Sequence, residues 1–95
     1  MLAGIRLIQK IHPITKLFHA AGNDIRSSIL YMLVQGPLDL GTIIRRLKRS
    51  PSLVAHHLKI LRGAGWVTKS KFGKLVTYYL SEDAVKEVRE FLRKP

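Results

Sequence analysis

Apolar residues recur every three or four positions through the first two-thirds of the chain, then every second position for one stretch. Ile5, Ile8 and Ile11 are at helical spacing, and Pro13 ends that run. The stretch ITKLFHAAG predicts a second short helix closed by Gly22. Asn23 or Asp24 can cap a third, DIRSSILYMLVQ, with Ile25, Ile29, Met32 and Leu33 on one face and Gly36-Pro37 as its stop. LGTIIRRLKR predicts a short helix that turns Ile43, Ile44 and Leu47 inward and its arginines outward.

Ser50-Pro51 is a helix start. The serine hydroxyl can accept from an orphan N–H, and proline lacks the N–H that would be orphaned at that position. The helix it opens runs to Gly63 or Gly65 with Val54, Leu58 and Leu61 as its inward stripe. The period then falls to two. Val67, Lys69 and Lys71 alternate with Trp66, Thr68 and Ser70. Val76, Tyr78 and Leu80 alternate with Leu75, Thr77 and Tyr79, and Gly73 separates the two runs. That pattern predicts a β-hairpin with the tip Lys71-Phe72-Gly73-Lys74. Ser81-Glu82-Asp83 opens a last helix whose stripe is Ala84, Val85, Val88, Phe91 and Leu92. The expected fold is α+β and mostly α. It is a winged helix-turn-helix with a two-stranded β-hairpin wing and flanking terminal helices, in a single domain over residues 1–95.

Charge narrows the function classes. The chain of 95 residues has a net charge of +11. Residues 1–39 carry four basic and two acidic residues, and residues 82–95 carry four of each. Residues 40–81 carry nine basic residues and no acidic one. A cationic middle segment of this kind favours a polyanionic partner. The absence of cysteine excludes disulfides, thiolate nucleophiles and thiolate-bound metal, and fits a cytoplasmic protein. No apolar run approaches the roughly 18 residues that cross a bilayer. Arg6 and Lys10 interrupt the apolar N-terminus, which spoils a signal-peptide core.

From Leu17 to about Leu80 the chain resembles the ArsR/SmtB family of winged helix-turn-helix repressors. LFHAAGNDIRSSILYMLVQGPL is similar to the family's opening helices. SPSLVAHHLKILRGAGWV resembles its recognition-helix signature, above all in HHLKIL followed by AGWV, and KFGKLVTYYL resembles its wing. The resemblance implies a dimeric DNA-binding regulator, by family habit a repressor, whose terminal helices form the dimer. Pro51 and Ala55 depart from the family, standing where it carries glutamine and serine. Asp39 and Gly41 match the positions of the cysteine pair in metal-sensing members, and the last helix lacks the histidines other members use. No metal and no cofactor are therefore expected.

Adjacent His56 and His57 point about 100° apart on a helix, so they do not chelate one ion within a chain. No carboxylate lies among their helical neighbours, and catalysis by a histidine base has nothing there to orient it. His57 is expected to pack beside the apolar stripe. His56 faces outward, either reaching DNA or standing beside the groove. The candidate DNA-binding residues are Lys48, Arg49, Ser50, Ser52, His56, Lys59, Arg62, Lys69, Lys71 and Lys74. Ser52 is open between phosphate donor and second cap. Trp66 and Tyr78 are expected in the core of the wing. Ile5, Ile8, Ile11, Val85, Val88, Phe91 and Leu92 form two apolar stripes assigned to a homodimer interface. The expected partners are double-stranded DNA and a second copy of the chain, and no membrane. The alternatives are a winged-helix module for RNA or protein contacts within a larger assembly, and a membrane-surface role for the amphipathic residues 1–12. An enzyme finds no acid–base pair or phosphate-cradling loop.

Overall fold

A computed structural model describes residues 23–93. Four helices and three strands follow in the order α1 (Asp24–Val34), β1 (Leu38–Asp39), α2 (Leu40–Leu47), α3 (Pro51–Gly63), β2 (Val67–Phe72), β3 (Leu75–Leu80) and α4 (Glu82–Arg93). The two helices expected before Asn23 lie outside the described residues.

Each boundary has a local cause. Asn23 caps α1, its Oδ1 accepting from the Ile25 N–H at 2.7 Å and the Arg26 N–H at 3.4 Å. Asp39 caps α2 by accepting from the Thr42 N–H at 3.1 Å. Lys48 closes α2 in the left-handed region at φ 54°. Ser50 caps α3, accepting from the Leu53 N–H at 3.3 Å. The end of α3 is a Schellman turn. The Trp66 N–H reaches the Leu61 carbonyl at 2.9 Å and the Gly65 N–H the Arg62 carbonyl at 3.1 Å, with Gly65 at φ +84°. In the hairpin turn Gly73 alone has positive φ, at +62°, the pattern of a type II′ turn whose twist suits the flanking strands.

The sheet order is β1-β3-β2, antiparallel throughout. The sequence pattern predicts a two-stranded wing, and the structure adds β1, pairing Leu38 with Tyr78 and Asp39 with Thr77. Two residues are too short to show an alternating period, so only the tertiary fold reveals this strand. The addition anchors the base of the wing beside α2 and covers one edge of β3.

One core joins all the described elements except β1, whose Leu38 packs against its margin. It holds Ile29, Leu30 and Leu33 of α1, Ile43 of α2, Val54, Leu58 and Leu61 of α3, Val67 of β2, Tyr78 of β3 and Val88 of α4. Full burial of a side chain of this size stabilises by about 1.5–3 kcal/mol. The expected stripe of α1 needs one change. Leu30 is fully buried while Met32 is only half-buried, because α1 packs against both α3 and β3 and so buries a broader face. Ser81 joins the wing to α4. Its Oγ donates to the Gly65 carbonyl at 2.6 Å and accepts from the Ala84 N–H at 3.0 Å.

Candidate nucleic-acid interface

The inward stripe of α3 forces its remaining residues outward. Val54, Leu58 and Leu61 are buried, as expected, and Ser52, Ala55, His56, Lys59 and Arg62 are exposed. All ten candidate DNA-binding residues are exposed. Lys59 and Arg62 come from α3 and Lys69 from β2. They meet around an open groove of about 500 Å³ that Gly63, Val67 and Thr68 complete. In the sequence Gly63 reads as a helix end and Thr68 as a strand position, and neither is among the candidate contacts. Lys48, Arg49, Ser50 and Ser52 stand apart at the N-terminal end of α3, and Lys71 and Lys74 stand at the hairpin tip. The Ser50 oxygen is occupied as a cap acceptor, and its hydroxyl hydrogen remains able to donate.

Among the described residues, none of these cations has a carboxylate partner. The ion pair found among the described residues is Glu90–Arg93 at 3.7 Å, on exposed side chains of α4. Asp39 is the nearest acid before them in sequence, and it is engaged locally. The Thr42 hydroxyl donates to its Oδ1 at 2.6 Å, and Arg45 donates to that hydroxyl oxygen at 3.0 Å. The Thr42 hydroxyl and then the Thr42 N–H hold the Asp39 carboxyl below its ordinary pKa.

The two histidines divide as their helical phase requires. His57 is buried and His56 exposed, with ring centroids 5.5 Å apart and planes at 67°. Arg26 of α1 lies 3.3 Å from His57 Nδ1. A guanidinium can only donate, so Nδ1 accepts and the ring proton belongs on Nε2. Burial foremost, then the charges of Arg26 and His56, lower the His57 pKa and keep the ring neutral. Sequence periodicity located the packed ring but could not identify Arg26, 31 positions away, as its partner.

Residues 23–69 match the sequence profile described as bacterial regulatory protein, arsR family. The chain is 35% identical over 82 residues to the HTH-type transcriptional regulator MJ1325 of Methanocaldococcus jannaschii, covering 85% of this chain and 92% of that protein. The chain belongs to the arsR family. It is a transcriptional regulator of that family and not an enzyme, and the family assignment implies DNA binding. The arsR-family chain is also similar to the cadmium resistance transcriptional regulatory protein CadC homolog of Staphylococcus aureus, 33% identical over 78 residues. That match covers 81% of this chain and 64% of the other protein. The solved structure of HlyU from Vibrio cholerae is similar at 30% identity with a TM-score of 0.69, covering 88% of this chain and 92% of that one. These relatives support the winged helix-turn-helix fold.

The donors present do not fit a family metal. The two positions matching the cysteine pair hold Asp39, whose oxygens serve Thr42, and Gly41, which has no side chain. No cluster of three potential ligands exists among the described residues. No described helix is long and apolar enough to cross a membrane.

Of the assigned interface residues, Val88 is buried in the chain's own core and Val85 is half-buried. Ala84 and Val88, one turn apart, face inward together. The expectation that the whole α4 stripe is left exposed does not hold for Val88. Its own protomer covers it, because α4 packs back onto the core. Ile5, Ile8, Ile11 and the side chains of Phe91 and Leu92 lie outside the described residues.

Proposed function

We propose that the 95 residues act as one domain, a sequence-specific repressor that binds duplex DNA as a two-fold homodimer. Each protomer lays α3 in the major groove. Ser52 and His56 face base edges and backbone near its start, and Lys59, Arg62 and Lys69 hold phosphates along the groove beside the wing. Lys48 and Arg49 meet the backbone at the turn, where the Ser50 hydroxyl can donate to a neighbouring phosphate, and Lys71 and Lys74 meet it at the tip. The observation that carries this reading is the convergence of Lys59, Arg62 and Lys69 on one open groove in a segment without a carboxylate. α3 has 13 residues and is therefore about 20 Å long, enough to span the contacts of a half-site. Pro51 and Ala55 offer no side-chain hydrogen-bond donor, so base reading along α3 falls to Ser52 and His56. Two-fold symmetry then calls for half-sites about 34–36 Å apart or a multiple of that. Occlusion of a promoter by the bound dimer would repress transcription.

Selection of duplexes from a random pool, followed by footprinting at stepped salt, tests the reading. The expected result is a palindromic site, with affinity falling about 10³–10⁵-fold between about 50 and 200 mM salt if roughly 6–10 phosphates are contacted. A flat salt response, or stronger retention by structured RNA than by the selected duplex at matched salt, would refute it.

A further inference from the structure

We propose that the tip of the wing is an apolar wedge for the minor groove, with Phe72 and Leu75 inserted at a flexible base step between phosphates held by Lys71 and Lys74. The inference rests on the DNA-binding reading above and adds to it a second source of sequence preference.

Phe72 is 87% exposed and Leu75 is 55% exposed. Isolated apolar residues on a surface are ordinary, but these two are paired. They are direct cross-strand partners at the last register position before the Gly73-Lys74 turn. Directly opposed residues project from the same face of a hairpin. The alternation sends Val67, Lys69 and Lys71 to one face of β2 and Thr68, Ser70 and Phe72 to the other. Val67 and Tyr78 are buried on the first face, so Phe72 and Leu75 extend from the face turned away from the core. Among the described residues nothing packs over them.

The occupant of such a tip must be apolar where Phe72 and Leu75 meet it and anionic beside them. Lys71 precedes the aromatic ring, and Lys74 lies in the turn between the two apolar residues. The minor groove of duplex DNA presents that combination, with sugars and base edges between two rows of phosphates. At about 6 Å wide it admits only the narrow end of a β-ribbon, which is where the pair is placed. Insertion of Phe or Leu between base pairs is a general way for proteins to unstack and kink a duplex from this side. Continuity of charge favours DNA over other anionic surfaces. Lys69 and Thr68, which alternate to opposite faces of β2, both line the groove beside α3, so a duplex seated there meets the strand edge-on and extends toward the tip, where Lys71 and Phe72 flank it in the same way. Pyrimidine–purine steps unstack most easily. The wing would therefore prefer TA or CA/TG at a fixed distance from the major-groove half-site, without hydrogen bonding to a base there.

The test uses the full chain and duplexes recovered from a random 30-bp pool, with 2-aminopurine replacing adenine at the step footprinted under the wing. The wild type should raise 2-aminopurine emission and discriminate TA from AA at that step on the order of tenfold. Phe72→Ala should lose the emission change and the discrimination and bind the best duplex on the order of tenfold more weakly. Its thermal melting should be unchanged, because the ring is exposed. Phe72→Leu should retain most of both effects. A Phe72→Ala protein that binds and discriminates like the wild type overturns the wedge and leaves the DNA reading standing. The wedge is equally overturned if Phe72→Ala keeps its duplex affinity and instead loses binding to phosphatidylserine/phosphatidylcholine vesicles or loses self-association in sedimentation. A wild type that binds no duplex removes both readings together.

Discussion

His57 supports α3 from behind while its neighbour His56 faces outward. Its ring is neutral against Arg26, with a pKa lowered from 6.5 chiefly by burial. The unfolded chain therefore takes up the proton before the folded one does. This contribution to stability is complete above about pH 6.5 and is lost as pH falls from there through the folded-state value. Urea unfolding followed between pH 7.5 and 5 should show the midpoint constant at first and then declining, and His57→Gln should flatten the decline. An unchanged decline in that variant would assign it to other groups. Gly65 isolates a backbone effect. Nothing lies within 4 Å of where a Cβ would stand, yet φ is +84°. Gly65→Ala should cost about 1–2 kcal/mol through left-handed strain alone. The check is denaturant unfolding, with the m-value expected to stay constant. A neutral substitution would show that the Schellman turn relaxes freely.

At the scale of elements, the proposed binding mode divides the work between the wing and α3. α3 is held from both ends, by Ser50 at its start and the Schellman turn at its close, and its buried stripe fixes which residues face out. The wing is held at its base, by β1 on one edge of β3 and by Ser81 at Gly65, and its tip is exposed. In the proposed complex Lys71 and Lys74 would reach phosphates, which are the same in every sequence. The double variant Lys71→Ala/Lys74→Ala should weaken selected and unselected duplexes by a similar factor. It should also reduce the salt slope by about one unit per lost contact. Binding measured on both duplexes across a salt series checks this. A loss confined to the selected duplex would mean that the lysines read sequence and that Phe72 is not the discriminating residue.

The whole molecule is asymmetric in charge. The cationic residues 40–81 build the proposed binding face, and the charge-balanced residues 82–95, which include α4, follow them. A dimer joined through balanced helices avoids bringing like charges together. Val88 does not report on that interface cleanly, because its burial in the core means that Val88→Asp would strand an unpaired charge within the protomer. Val85 is the better probe, being half-buried beside it. Sedimentation of the wild type at micromolar concentration should show a dimer. Val85→Asp should shift it toward monomer with a circular dichroism spectrum like the wild type. A monomeric wild type, or a fully dimeric variant, would remove α4 from the interface.

Local rules sufficed wherever the determinants are close in sequence. The caps at Asn23 and Ser50, the stripe Val54–Leu58–Leu61, the change to period two after Trp66 and the stretch without acids could each be read from neighbouring residues. Periodicity also separated His56 from His57, since a helix turns adjacent residues to different faces. Contacts between distant positions were invisible to those rules. The pairing of Leu38 with Tyr78, the Arg26–His57 contact, the meeting of Lys59 and Arg62 with Lys69, and the burial of Val88 all depend on how the elements pack. Asp39 shows the same divide in one residue. Read from the sequence it stands only as a departure from the family's metal-binding cysteine, and its place at the start of α2 makes it a cap. Apart from β1 and the breadth of the buried face of α1, sequence alone thus determined which residues lie on each described helix or strand and on which side, because that follows from backbone period and local hydrogen bonding. Tertiary structure decided which sides meet, because burial of the shared core selects one arrangement of faces that no single segment encodes.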